Sequence, residues 1–174
     1  MSETPQPPRI GSVRELLLKE LGKLLVVEET LSRSILPKLE QEAQDEQLKQ
    51  AFGEHLEQTR QHVQQVQAAF AELGSEPAGQ DAKGLDGLKQ EREAVVAELA
   101  PAFHDGFNAA AAMGAEHYEI ASYEAAIRLA DALGEQDVAL LLRATLEQEV
   151  QALEKLAPHA TRLADQGVKE PAVG

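Results

Sequence analysis

Glutamate and histidine side chains interrupt four apolar patterns of this sequence at positions where they could bind metal ions together. The residues concerned are Glu28, His55, His62, Glu116, Glu119 and Glu149. Carboxylate oxygens combined with one or two imidazoles suit iron or manganese, and zinc also accepts such ligands. The sequence therefore predicts a site for two divalent metal ions, with iron as the first expectation and manganese or zinc as alternatives.

Apolar residues recur at intervals of three and four along four long segments, which predicts that each segment is a helix with one buried face. Every such face is apolar at both ends and polar near its middle. The face of the first segment consists of Leu17, Leu21, Leu24, Glu28, Leu31, Ile35 and Leu39. The polar positions of the four faces are thus expected to meet inside a helical bundle.

Distances along the chain place these polar positions at one level. Glu119 and Glu149 are equally far from Gly134, which is a suitable residue for ending a helix. Glu28 lies about as far before the break near Asp45 as His62 lies after it. Because every helix residue adds the same rise, we expect one polar band across the bundle.

The energetics of burial indicate what this band is for. A buried carboxylate without a partner is unstable in its charged form. None of the four buried faces offers a lysine or arginine to pair with. Two divalent cations would balance four carboxylates, as in the two-metal sites of helical bundles.

Glycines, prolines and capping residues predict four long helices and one short one. The predicted helices are Ser12 to about Ala43 with a bend at Pro37, about Gln47 to Gly74, Gly84 to Leu99, Pro101 to Leu133, and Glu135 to Asp165. The fold class is predicted to be all-α: a ferritin-like four-helix bundle of two antiparallel hairpins joined by a long crossover that contains the short helix. The predicted domain spans 12–166, with a flexible arm at 1–11 and a flexible tail at 167–174.

Composition limits the classes of function. The chain has 174 residues and a net charge of −14, so binding to nucleic acid or to anionic membranes is not expected. It contains no cysteine, which excludes disulfides and thiolate metal sites. The first residues lack the apolar core of a signal peptide, and the cytoplasm is the expected location.

Five strings resemble the YciE/YciF-like family of ferritin-like proteins from Ser12 to about Ala164. They are VEETL at 27–31 with LPKL at 36–39, QAFGEHLEQT at 50–59, EHYEIASY at 116–123, and TLEQE at 145–149. The resemblance implies a five-helix ferritin-like fold, a homodimer, a stress-linked bacterial role and a two-metal centre. Similarity to rubrerythrin-like bundles further implies that Glu116 bridges the metals and that Glu119 binds one of them.

The chain departs from the family pattern at three places. Gln58 stands where a carboxylate is common, and Ala152 stands where related bundles have a histidine one turn after Glu149. The interval from Glu28 to Pro37 is one residue longer than usual.

Several assignments stay open from the residues alone. Glu29 is an alternative to Glu28 as the inward residue, and either His55 or His62 is the ligand of the second helix. Tyr123 is either a core residue or a hydrogen-bond partner of a ligand. His117 is expected at the surface or in a dimer contact.

Two functions of different classes are compatible with these features. The first is a two-metal protein that reduces peroxide or oxidises ferrous ion with an external electron donor, since no rubredoxin-like segment is present. The alternative is a non-catalytic, dimeric stress-response protein that acts through its structure or through a partner. The sequence alone identifies no catalytic residue.

Overall fold

A computed structural model describes residues 9–169, which form helices and turns. The helices are α1 Val13–Thr30, α2 Leu36–Glu42, α3 Glu46–Glu72, α4 Lys83–Glu98, α5 His104–Leu133 and α6 Gln136–Lys169. A π-helical segment, Leu31–Ile35, joins α1 to α2, and a 3-10 turn, Pro101–Phe103, precedes α5. The terminal parts of the predicted arm and tail, 1–8 and 170–174, lie outside the described residues.

The long helices form two antiparallel hairpins. The continuous α1–α2 rod pairs with α3, and α5 pairs with α6. Around the bundle α1 also contacts α5, and α3 also contacts α6, while the short α4 packs on α5. The predicted all-α, ferritin-like bundle with one long crossover is therefore confirmed.

Local signals in the sequence set most helix ends. The hydroxyl of Ser12 accepts a hydrogen bond from the Glu15 amide at 3.1 Å, and the Asp45 carboxylate accepts one from Leu48 at 2.9 Å. Gly134 adopts the left-handed conformation, with φ of 75°, between α5 and α6. The last helix extends to Lys169, four residues beyond its predicted end at Asp165.

The bend expected at Pro37 takes the form of a π-helical turn before the proline. The turn begins three residues after Glu28, and Pro37 then sits in the first turn of α2, where its missing N–H disrupts no hydrogen bond. A π-turn holds one residue more than an α-turn, so it accommodates the long interval between Glu28 and Pro37. It keeps Glu28, Leu31 and Leu39 on the buried face.

The crossover passes close to α1 at Gly22. The amide of Gln80 donates to the Gly22 carbonyl at 3.0 Å, and a Cβ atom at residue 22 would lie 2.4 Å from the Ala78 carbonyl oxygen. A side chain at this position would push the crossover away, so the absence of one lets the chain lie on α1.

The apolar core consists of two clusters with the polar band between them. One cluster includes Leu21, Phe70 and Leu142, and the other includes Leu39, Phe52 and Leu156. The bundle thus surrounds a polar layer with well-packed apolar layers. In the part of the chain that the structure describes, none of the helices is apolar over enough length to cross a membrane.

Candidate metal centre

All six predicted ligands lie in the polar band and are shielded from solvent. Their exposed fractions are 0% for Glu28 and Glu149, 1% for Glu119 and His62, 3% for Glu116 and 5% for His55. Glu29 instead points outward and pairs with Arg33 at 3.0 Å. Glu28 is therefore the inward residue of this pair.

The first group of candidate ligands, called the His62 group, consists of Glu28, His62 and Glu149. One ligand atom from each lies within 4.8 Å of the others. The Nδ1 atom of His62 is 2.7 Å from Glu149 Oε1 and 3.6 Å from Glu28 Oε2. Helices α1, α3 and α6 thus bring their polar side chains to one point.

The second group, called the His55 group, consists of His55, Glu116 and Glu149 and also fits within 4.8 Å. His55 Nε2 is 2.9 Å from Glu116 Oε1 and 4.0 Å from Glu149 Oε2. Each oxygen of Glu149 therefore faces a different histidine. The carboxylate shared by the two groups is Glu149, whereas the family resemblance gave the bridging position to Glu116.

Glu119 is buried beside these groups but belongs to neither. Neither of its carboxylate oxygens has a hydrogen-bond partner. Burial, followed by the charges of Glu149 and Glu116, raises its pKa well above the ordinary value. This shift favours the protonated acid, and a cation bound nearby would favour the carboxylate.

Two further side chains orient the His62 group. The second ring nitrogen of His62, Nε2, is 2.8 Å from Gln148 Oε1, an acceptor for the Nε2 proton, so Nδ1 is the nitrogen that would bind a cation after releasing its proton. The Tyr123 hydroxyl donates to Glu28 Oε1. Tyr123 is thus a hydrogen-bond partner of a candidate ligand, one of its two predicted roles.

Sequence reasoning missed Gln148. It is half-buried, next to Glu149 and outside the spacing that marks the buried face of α6. Its position one residue before an inward carboxylate was the signal that could have indicated it.

Burial and the crowded charges move the pKa values of the site in one direction. Burial raises the pKa of Glu28 and Glu149 above the ordinary value, and His62 opposes this effect only in part. Burial lowers the pKa of His55, but the charge and hydrogen bond of Glu116, together with the charges of Glu149 and Glu28, outweigh burial and raise the pKa to about 9. The pKa of His62 rises to about 10, because the effect of Glu149 and Glu28 exceeds that of burial. Without a cation the cluster retains protons that these groups would otherwise release near neutral pH.

Unpaired polar atoms indicate that the band can accept cations. Among the described residues, ten buried side-chain nitrogen and oxygen atoms lack a hydrogen bond of good geometry, and nine of them belong to the six predicted ligands. Two of the nine, His55 Nε2 and His62 Nδ1, nevertheless lie 2.9 and 2.7 Å from a carboxylate oxygen. No lysine or arginine within residues 9–169 forms an ion pair with the four carboxylates. Buried groups of this kind are normally satisfied, so the ligand set fits two divalent ions.

The remaining polar residues considered from the sequence lie elsewhere. His117 is exposed, Gln58 is half-buried beside His55, and Ala152 is buried and supplies no ligand. His104 Nε2 contacts the Leu99 carbonyl at 3.1 Å, and His159 Nδ1 lies 3.4 Å from Arg162. These residues do not join the cluster.

Comparison with known proteins gives a consistent result across nearly the whole chain. A family model described as a domain of unknown function, DUF892, matches residues 12–169. Protein YciF of Escherichia coli is 32% identical over 140 residues, which cover 79% of this chain and 84% of that protein.

Two solved structures are similar to this one. The Escherichia coli stress protein YciF superimposes with a TM-score of 0.82 at 30% identity, covering 90% of this chain and 99% of that chain. YcfI of Rhodopseudomonas palustris, described as a candidate structural protein, superimposes with a TM-score of 0.81 at 32% identity, covering 84% and 94%.

Proposed function

The chain belongs to the DUF892 family of YciF-like stress proteins, and on this basis we propose that it is a metalloprotein that binds two iron or manganese ions. The observation that carries the proposal is the convergence of unpaired ligand atoms on two points that share Glu149. Four carboxylates and two divalent ions balance in charge, which removes the cost of burying the acids.

Each predicted residue has a role in this proposal. Glu28 and His62 hold one ion, and His55 and Glu116 hold the other. Glu149 offers one oxygen to each ion. Glu119 remains as an additional carboxylate, close enough to add negative charge and to complete the coordination of either position.

Two ferrous ions held in this way would supply the two electrons that reduce a peroxide. The same ions would become ferric, which is ferrous-ion oxidation. The protein would exclude bulk water from the band and position the carboxylates and imidazoles. We include a homodimer and an external electron donor in the proposal, as the family resemblance implies. Removal of peroxide or of ferrous ion would be protective under stress.

The test starts with elemental analysis of protein purified without chelators and then loaded anaerobically with ferrous ion. We expect about two equivalents of iron, loss of iron in Glu116→Ala, and consumption of hydrogen peroxide or ferrous ion by the loaded protein. Absence of stoichiometric metal after loading contradicts the proposal. Bound metal without either reaction contradicts only the enzymatic part.

One observation favours the non-catalytic alternative. In the absence of metal the raised pKa values of His55 and His62 let both imidazoles carry a positive charge next to the carboxylates. The cluster is then a buried ion network that needs no metal, and the protein would act through its structure or a partner.

Thermal unfolding with and without a chelator separates the two functions. A metal ion that binds only the folded state raises the melting temperature, so a chelator lowers the melting temperature if the proposal holds. Glu116→Ala gives an independent readout. If Glu116 binds metal, the chelator no longer lowers the melting temperature of this variant as it does that of the wild type. If the cluster is an ion network, the variant is destabilised equally with and without chelator, because His55 loses its partner.

A further inference from the structure

An apolar cavity of about 160 Å³ lies between the π-helical segment, α2, α4 and α5. The aliphatic side chains around it are Leu31, Ile35, Leu36, Leu39, Leu85 and Leu88. On α5 it is bounded by alanines, which leave room that larger side chains would fill. The cavity is partly open, and charged side chains such as Lys38 and Lys89 also line it. A mainly apolar space of this size accepts a ligand such as benzene, since cavities of about 150 Å³ do so in other proteins.

The cavity reaches the candidate metal centre. Its α5 wall runs from Asn108 through Ala112 to Glu116, two turns of helix or about 12 Å. Glu116 is a member of the His55 group, 2.9 Å from His55. At the other end Asn108 is held by Arg92 at 2.9 Å, which closes that end of the wall.

The opposite side of the His55 group is far tighter. A second cavity, lined by His55, Gln58 and Ala152, has a volume of about 10 Å³. This volume is enough for about one water molecule. An organic molecule can therefore approach the His55 group along α5 and has no comparable space on the α3–α6 side.

We propose that the cavity is the binding site for the organic part of an alkyl or aryl hydroperoxide, whose peroxide group lies at the Glu116 end. This inference rests on the proposed function and assigns it a substrate class. Hydrogen peroxide would leave most of the cavity empty and would find few hydrogen-bond partners on its walls. A branched alkyl group of four to six carbons gains contacts with the leucines and removes apolar surface from water.

The reaction is the two-electron reduction of the hydroperoxide to the corresponding alcohol and water. The O–O bond would break, two protons would come from solvent through the small cavity, and two ferrous ions would each give one electron and become ferric. In a single turnover no other reductant is required. The alcohol retains the apolar group, so it occupies the same space until it leaves.

The first arm of the test measures binding without metal. Benzene is titrated into the metal-free protein while the methyl resonances of the cavity leucines are recorded by NMR. We expect saturable shifts in the wild type and in Ala110→Leu, an exposed position on the same helix. We expect no saturable shifts in Ala112→Leu, which fills the cavity. Ala111→Leu, at a half-buried lining position, gives the same comparison if the first variant does not fold.

The second arm measures single-turnover consumption of tert-butyl hydroperoxide and of hydrogen peroxide by the ferrous-loaded protein. We expect the rate with tert-butyl hydroperoxide, divided by the rate with hydrogen peroxide, to fall at least about tenfold in Ala112→Leu, because the alkyl group can no longer be buried. The same ratio should stay constant in Ala110→Leu.

Absence of benzene binding, or an unchanged ratio in Ala112→Leu, overturns the assignment of the cavity. If benzene binds but neither peroxide is consumed, the proposed peroxide chemistry has failed and the substrate class fails with it, while the apolar site stands.

Discussion

The two ligand groups that share Glu149 differ in how firmly the protein holds them and in what lies beside them. In the His62 group both partners of Glu149 are fixed by a further hydrogen bond: the His62 imidazole donates to Gln148, and the Tyr123 hydroxyl donates to Glu28. In the His55 group the Nδ1 atom of His55 has no partner, and Glu116 borders the apolar cavity. The difference suggests a division of roles: one position retains its ion, and the other position meets the substrate.

The surroundings of the two groups explain this difference. The His62 group lies where α3 packs on both α1 and α6, next to the cluster that contains Leu21 and Phe70. The His55 group borders the region where α2 follows the π-turn and where α4 packs mainly on α5. A π-turn and a short crossover helix leave space that a regular four-helix contact would fill.

The largest expected effect comes from removing the shared carboxylate. Glu149→Gln should weaken Mn(II) binding at both positions by more than about 100-fold, since loss of an outer hydrogen bond alone costs about 10–100-fold. Calorimetric titration measures this, with the exposed Glu147→Gln as the matched control. Survival of one site with wild-type affinity would mean that the groups do not share Glu149.

Gln148→Leu should weaken metal binding only at the His62 group. Without the acceptor for Nε2, the imidazole of His62 loses its preferred orientation and proton position, and affinity at the His62 group should fall about 10–100-fold. The exposed Gln151→Leu is the control on the same helix. Equal weakening of both Mn(II) sites in the titration would contradict the separation of the groups.

Tyr123→Phe should have a smaller effect, on the stability of the metal-free protein. It leaves Glu28 Oε1 buried without a donor, which should lower the free energy of unfolding by about 1–3 kcal/mol in the metal-free protein. Urea unfolding measures this, and Tyr118→Phe, whose ring packs under Gly84, is the control. No difference between the two variants would show that the Tyr123 hydroxyl does not support Glu28.

The smallest expected effect is the pH dependence of thermal stability. In the metal-free protein the pKa values of His55 and His62, about 9 and 10, exceed the ordinary 6.5, so the folded state holds more protons. The stability from these histidines is complete below pH 6.5 and is lost as pH rises through 9 and 10. The raised pKa values of Glu28, Glu119 and Glu149 act in the same direction above pH 4.5.

Bound metal should weaken or reverse this loss of stability with rising pH. The reason is that the ligands must be deprotonated, so metal affinity rises with pH. The measurement is the melting temperature from pH 5 to pH 10, with chelator and with Mn(II). Identical curves under the two conditions would indicate that these residues do not bind the ion.

The fold and the buried residues of the band could be predicted from the sequence, because both follow from periodic spacing. Intervals of three and four placed Glu28, Glu116 and Glu149 on buried faces, and the structure confirms that all three are inward. Gln148 could not be predicted in this way, because it lies off the buried face of α6 and reaches His62 from the side. Its role depends on the rotation of α6 against α3, which spacing along one helix does not determine.

The cavity and the exact place of the π-turn also could not be predicted from the sequence. Alanines at 111, 112 and 115 on α5 are compatible with close helix packing as well as with a cavity. The space arises because the aliphatic side chains of α2 and α4 stop short of these alanines. That outcome depends on three elements at once. The π-turn has a sequence signal, the interval from Glu28 to Pro37 that is one residue longer than usual, but this interval does not determine where the extra residue is accommodated.

The most direct test of the central claim is the anomalous diffraction of a crystal of the Mn(II)-loaded protein. Two peaks inside the polar band are predicted, one bound by Glu28, His62 and Glu149 and one bound by His55, Glu116 and Glu149. Such a result would establish Glu149 as the shared ligand. A fully loaded crystal with no peak in the band, or with manganese only at surface carboxylates, would contradict the account.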